Sequence, residues 1–371
     1  MVMLEEGKAK TVDRLLAELQ AKFGAGSVMR ASDVPVHAPV TSGSLALDFA
    51  TGIGGLPSDR IIEVAGAEGS GKTTLGLLAM TRFLDAFPER LAVILDTEHK
   101  LTMEWVEHLI GSERMRRVIY MQPDFMESAT NMYVDAVGSG QVCFVLFDSI
   151  GGSPTKAAVE KDAEKVQVGG NAGAVTKFAR AASTLSAKNR CCTFAVNQIR
   201  ADMDGFHRHM TPGGHGLKHA CVMRVKLRRS TQDKVEAVVN GEKVVVGHKV
   251  FASVIKNHLA PEGRTAWWWF YHIPTPEYGF GIDTMDEVVR LSVATGVVSQ
   301  NGSWYSHPAL PENKGERRVQ GVKALSAALA ADEAARATVV SETMAVLGSD
   351  DTVGAEVAPF DPTAVEEDLG G

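Results

Sequence analysis

The ten residues GAEGSGKTTL, Gly66 to Leu75, constrain this chain more than any other stretch. They follow the apolar run IIEVA, which predicts a strand, and lead into GLLAMTRFL, which predicts a helix. The spacing G-x-x-x-x-G-K-T between strand and helix is that of a phosphate-binding loop. Gly66, Gly69 and Gly71 let the backbone curl around Ala67, Glu68 and Ser70 so that successive N–H groups face inward. The helix that follows presents its unpaired N-terminal amides to the same anion. A polyphosphate cradle is therefore expected, with Lys72 reaching the terminal phosphates and the Thr73 hydroxyl on a magnesium ion. Thr74, already helical, completes the set.

The rest of the chain supplies the frame for such a loop. The runs LAVILD, VIYMQ, CFVLFD and CTFAVNQ alternate with helix-like segments, which predicts an α/β fold with a mostly parallel central sheet covered on both faces. After Gly216 the runs CVMRVKLRR, KVEAVVN, EKVVVGHKVFASVIK and TAWWWFYHI are strand-like and closely spaced, predicting an antiparallel extension. Ahead of the core, Val12, Leu15, Leu16, Leu19 and Phe23 fall at helical spacing, with Gly24 as the stop. That helix is linked by VPVHAPV, and its apolar face docks either on a neighbouring subunit or on its own chain. From about Asp283 the pattern turns helical around the short SWYSH, which predicts a small separate α/β domain. The expected boundaries are residues 1–35 for the oligomerisation helix and strand, 36–283 for the core, 284–348 for the small domain and 349–371 for an acidic disordered tail.

Charge is unevenly placed. The net charge of −7 argues against a polyanionic partner until the tail is set aside. The last 23 residues hold seven acids and no Lys or Arg; without those seven of the 45 acids, 38 remain against 38 Lys and Arg. Such a tail either aids solubility or competes with polyanions for a basic groove. The four cysteines lie in or beside apolar runs without C-x-x-C spacing, which argues against a disulfide framework and a zinc site. His207 to His219 is rich in histidine but has neither an H-E-x-x-H helix nor a fixed ligand spacing. No apolar run approaches the roughly 20 residues of a membrane span, and MVMLEEGKAK is charged where a signal peptide is apolar, so a cytoplasmic location without a membrane partner is expected.

Ligands of open parallel sheets collect at the carboxyl ends of the strands. QVCFVLFD ends in Asp148, placed to hold magnesium through its water shell; LAVILDTEH ends in Asp96 and Glu98, of which Glu98 is the candidate to deprotonate an attacking water. CCTFAVNQIR ends in Asn197 and Gln198, amides able to sense a γ-phosphate and pass its presence to the segment beyond.

Together with SGSLALD ahead of the loop and NQIR followed by GGHGLK after it, these motifs resemble the bacterial RecA recombinase family, over about nine-tenths of the chain and in order. The resemblance implies a RecA-type ATPase core using ATP and Mg2+, a helical homo-oligomeric filament on single-stranded DNA, and exchange with homologous double-stranded DNA in recombination and repair. It also implies single-strand-binding and loader proteins as partners. By the same resemblance Glu98 activates water, Gln198 couples ATP to DNA, Trp105 and Tyr278 flank the adenine, and Lys218 and Lys256 reach the neighbouring subunit's ATP. DNA-binding segments are implied at about residues 161–173 and 199–216, the second containing Arg200, Phe206, Arg208, Gly213 and Gly214. Arg180, on the helix after the first, matches a family DNA contact.

Departures from the family accompany these matches. Thr102 stands where Asp is usual near the base, Gly173 replaces an Arg, His219 a Phe and His258 a Lys, and the second DNA segment is about two residues shorter. Arg224, Lys226 and Arg228 share one strand face, which either lines the groove or is simply solvated. Other classes fit less well: a GTPase needs an N-K-x-D the sequence lacks, and a small-molecule kinase needs an arginine-bearing lid. A RecA-fold motor that binds DNA without pairing homologues remains open, as does a regulatory module that uses ATP only to hold a shape.

Overall fold

The computed structural model describes residues 2–24, 26–159, 171–199 and 214–348. The chain divides into two compact units, 1–38 and 39–371. In the first, α1 (Val2–Phe23) is longer than its apolar spacing predicts, and Gly24 ends it at φ 92° with its N–H on Gln20 O, 2.8 Å. Val12, Leu15 and Phe23 on this helix are exposed.

The second unit begins with α2 (Leu45–Ala50) and continues through β1 (Ile61–Gly66), α3 (Lys72–Ala86), β2 (Leu91–Asp96), α4 (Met103–Ile110), α5 (Ser112–Met115) and β3 (Val118–Met121). Then come α6 (Met126–Gly138), β4 (Val142–Asp148), α7 (Lys156–Val159), α8 (Ala172–Asn189), β5 (Cys192–Gln198), α9 (Gly214–Ala220), β6 (Met223–Val239), β7 (Glu242–Asn257), β8 (Thr265–Tyr271) and β9 (Gly281–Ile282). The last part holds α10 (Thr284–Ala294), β10 (Ser299–Asn301), β11 (Trp304–Ser306), β12 (Glu312–Asn313), β13 (Glu316–Gln320), α11 (Val322–Ala331) and α12 (Glu333–Gly348).

Nine strands form one sheet in the order β3-β2-β4-β5-β1-β6-β7-β8-β9, parallel from β3 to β6 and antiparallel from β6 to β9. Its parallel strands are apolar on both faces because helices cover both. On β4, Phe144 and Leu146 enter one core with α3 and α4, while Val145 and Phe147 enter the other with α6 and α8. A third cluster, built on Val288, Val298, Leu325 and Val339, sits with the four-stranded sheet β10-β11-β13-β12. No described helix is long and apolar enough to cross a membrane.

Two elements differ from the sequence reading. CVMRVKLRR and KVEAVVN are one strand, β6, whose pairing with β7 is irregular between Arg229 and Lys234. Ser230 and Asp233 hold that irregularity together, with Asp233 N on Ser230 Oγ at 3.0 Å, and Asn240 and Gly241, both at positive φ, make the turn into β7. The long C-terminal helical run is also two helices. It breaks at the extended Asp332, whose carboxylate accepts from Ala335 N at 2.9 Å.

Candidate active site and nucleotide pocket

Register fixes the geometry before any side chain is considered. Gly66 on β1 pairs with Gln198 on β5 and Leu227 on β6, and Asp96 on β2 pairs with Asp148 on β4. The carboxyl ends of four parallel strands thus meet at one rim. The 66–71 loop leaves that rim with Gly69 at φ 70° and Gly71 at φ 89°, conformations that an L side chain strains to adopt. At Gly66 a Cβ would lie 2.5 Å from Ser70 Oγ and 2.6 Å from Leu227 O, so the loop closes only over a bare backbone.

Helix α3 starts at Lys72, whose ammonium is buried and donates to Gly66 O (3.0 Å) and Ala67 O (2.7 Å). Burial lowers its pKa, against the opposing pull of Asp148 and Glu98. Ser70 Oγ is buried without a partner, a polar atom left over inside the loop. Thr73 Oγ1 donates to Asp148 Oδ2, and burial pushes the Asp148 carboxyl up to about 6. A loop with a spare hydroxyl, a lysine at its mouth and two adjacent hard oxygen groups fits a polyphosphate with its magnesium ion.

The Glu98 carboxylate stands across the same cavity, held on both oxygens. Oε1 accepts from Ser149 Oγ and from Gln198 Nε2 (2.8 Å), and Oε2 pairs with Lys100 Nζ at 2.8 Å. Burial alone would raise its pKa; the bonds from Lys100, Ser149 and Gln198 hold it below the usual carboxylate range. Lys100, Ser149 and Gly152 gave no sequence signal. A Cβ at Gly152 would lie 2.9 Å from Glu98 Oε1, so that position bears on the site by being bare.

Asp96 and Asn197, grouped with these residues in the sequence, do other work. Asp96 is buried, and its carboxylate accepts from the amides of Glu98 (3.0 Å), His99 (2.8 Å) and Leu101 (3.3 Å) and from Tyr120 OH (2.7 Å), which ties the turn that presents Glu98. Asn197 Nδ2 donates to the buried Glu63 Oε1 at 2.7 Å, away from the Glu98 carboxylate. Adjacent strand residues point to opposite faces, so only Gln198 of the pair reaches Glu98.

A second cavity of about 340 Å³ adjoins Thr73 and Thr74 and is lined by Trp105, Trp268 and Phe270 together with His248 and His272. Burial, Arg229 and His272 push His248 down to about 4, so its ring is neutral. Trp105 packs edge-on to Phe280, with centroids 5.8 Å apart. Tyr278 is not among the lining residues; it stacks on Tyr271 at 4.5 Å.

Lys218, in the last turn of α9, and Lys256, near the end of β7, line neither cavity. Lys256 Nζ donates to Lys218 O (2.6 Å) and Cys221 O (2.7 Å), and burial lowers its pKa. Arg180 is exposed on α8. Gly214 opens α9 at φ 69°, and a Cβ at Gly216 would lie 2.3 Å from Thr176 Oγ1, so α9 packs closely on α8. Arg200, Phe206, Arg208 and Gly213, most of the 161–173 segment and the 349–371 tail lie outside the described residues.

Comparison with known proteins now decides the family. The model for the RecA N-terminal domain matches residues 10–271. The chain is 31% identical over 322 residues to Protein RecA of Thermus thermophilus, covering 85% of this chain and 89% of that one. It is 33% identical over 307 residues to Protein RecA of Paracoccus denitrificans, covering 81% of each, and 32% identical over 325 residues to that of Allochromatium vinosum, covering 85% and 88%. The chain belongs to the RecA family. With that membership come a recombinase function in DNA repair, DNA-dependent ATP hydrolysis, the use of ATP and Mg2+, DNA binding and filament assembly. In this RecA-family member the phosphate loop, Glu98 and Gln198 meet at one sheet edge.

Proposed function

We propose that the chain coats single-stranded DNA as a helical filament, pairs it with homologous duplex and exchanges strands, with ATP as the switch between DNA-holding and releasing states. Lys72 and the 66–74 backbone hold the phosphates, Thr73 and Asp148 hold magnesium, and Glu98 accepts the proton of the attacking water. Magnesium, when bound, offsets charge on the transferring phosphate. Trp105 supplies a stacking face for adenine, and Tyr278 closes on the base from the opposite side when nucleotide is present. Lys218 and Lys256 serve the neighbouring subunit's ATP, a reading supported by their absence from the lining of the two cavities.

The observation that carries this reading is the Gln198 to Glu98 hydrogen bond of 2.8 Å. Gln198 ends β5 and stands two residues before Arg200, so one side chain joins the hydrolytic carboxylate to the segment holding Arg200, Phe206, Arg208, Gly213 and Gly214. Basic residues there and at Arg180 would neutralise phosphates, and an aromatic ring would stack on or wedge between bases. On this reading residues 1–35 join subunits, 36–283 form the ATPase core, 284–348 form a duplex-guiding domain and 349–371 an acidic tail. The working compartment is the cytoplasm, with single-strand-binding and loader proteins as partners.

Homologous pairing tests this directly. Circular single-stranded DNA and homologous linear duplex, incubated with protein, ATP and Mg2+, are expected to yield joint molecules, whereas heterologous duplex yields none. Filaments that hydrolyse ATP yet never form joint molecules would indicate a DNA motor.

A further inference from the structure

The ion pair between Lys100 and Glu98 joins unequal partners. The Glu98 side chain is 15% exposed, the Lys100 side chain 67%. Glu98 has a partner on each oxygen: Oε1 takes Ser149 and Gln198, and Oε2 takes Lys100 alone. The ammonium on Oε2 draws charge from the oxygen that has a single partner and makes it a poorer acceptor for a water's proton. The cavity it faces is lined by four carboxylates, Glu68, Asp96, Glu98 and Asp148, and two lysines, Lys72 and Lys100. Lys72 is anchored to loop carbonyls, which leaves Lys100 as the exposed cation among the lining residues.

An exposed lysine on a carboxylate is held weakly, because solvent competes for both charges and the long stem loses entropy. A terminal phosphate arriving beside Lys72 and Thr73 carries more charge than a carboxylate and offers several acceptor oxygens. We propose that Lys100 exchanges Glu98 for the nucleotide's terminal phosphate, so that binding of a triphosphate frees Oε2 of the carboxylate. A diphosphate ends short of this point and leaves the pair intact. Lys100 is thus a triphosphate-sensing residue that couples loading of the site to release of its base. The inference rests on reading the 66–74 loop as a nucleotide triphosphate site.

Equilibrium binding without DNA tests it independently of turnover. Fluorescent ADP and a non-hydrolysable ATP analogue are titrated into the full chain and into the variants Lys100→Met, Lys100→Arg, Glu98→Gln and Glu98→Gln/Lys100→Met. Lys100→Met is expected to weaken the triphosphate about tenfold and leave ADP within about twofold, while Lys100→Arg stays near the parent. Glu98→Gln, which removes the competing carboxylate, is expected to tighten the triphosphate about threefold, and the gain should vanish in the double variant. Equal loss of both nucleotides, no change in either, or a gain that survives without Lys100 would overturn the exchange. If the parent chain binds neither nucleotide, the phosphate-loop reading fails first and the exchange fails with it.

Discussion

Glu63 lies in the middle of β1 with no exposed surface, and its two oxygens are taken by strands on either side, Oε1 by Asn197 of β5 and Oε2 by Arg224 of β6. Removing one partner of such a pair leaves a buried charge short of compensation, which costs far more than the intact pair gains. Arg224→Ala is expected to lower unfolding stability by about 3–5 kcal/mol in urea titrations, with a loss under about 1 kcal/mol contradicting that view. The trio also explains what the sequence could not convey. Asp148, Glu98 and Gln198 were legible because a polar residue ending a buried apolar run has few reasons to be there. Asn197 looked equivalent to Gln198, yet strand alternation turns it to the other face, onto Glu63. Lys100 and Ser149 were silent because they reach Glu98 through the path of the turn that Asp96 ties, and no periodicity encodes such a path.

Helix α2 and helix α10 are joined through one carboxyl. Glu287 of α10 is fully buried at the N-terminus of α2, accepting from Ser44 Oγ (2.5 Å), Leu45 N (3.0 Å) and Ala46 N (3.3 Å). Burial outweighs those bonds and pushes its carboxyl up from 4.5 to about 8. A group whose folded pKa is raised contributes stability that is complete below 4.5 and is lost as pH rises through about 8. The melting temperature should therefore fall by a few degrees from pH 5 to pH 8. In Glu287→Gln, which keeps an acceptor oxygen but cannot ionise, the fall should shrink to what other raised carboxyls contribute, among them Asp48 and Asp148, each pushed up to about 6 by burial. Equal slopes in parent and variant would contradict the assignment. Elements of this size were largely legible, since the alternation of β-rich and helical runs carried the parallel sheet and its extension. The four-stranded sheet was not, because its strands span only two to five residues, too few for a period to register.

At the scale of the whole molecule, one sheet edge collects the phosphate loop, the candidate base and the amide that precedes the proposed DNA segment in the chain. Helices α8 and α9, into which the two proposed DNA segments lead in the chain, pack closely on each other. Lys218 and Lys256 line neither of the two cavities described above. The central claim is that hydrolysis belongs to the DNA-bound assembly and passes through Glu98. It is tested most directly by ATP turnover of the full chain with and without unstructured single-stranded DNA, with Glu98→Gln in parallel. DNA should stimulate turnover at least about tenfold, and the variant should lose about 10²-fold or more while still binding nucleotide. Turnover indifferent to DNA, or a Glu98→Gln variant as active as the parent, would contradict it.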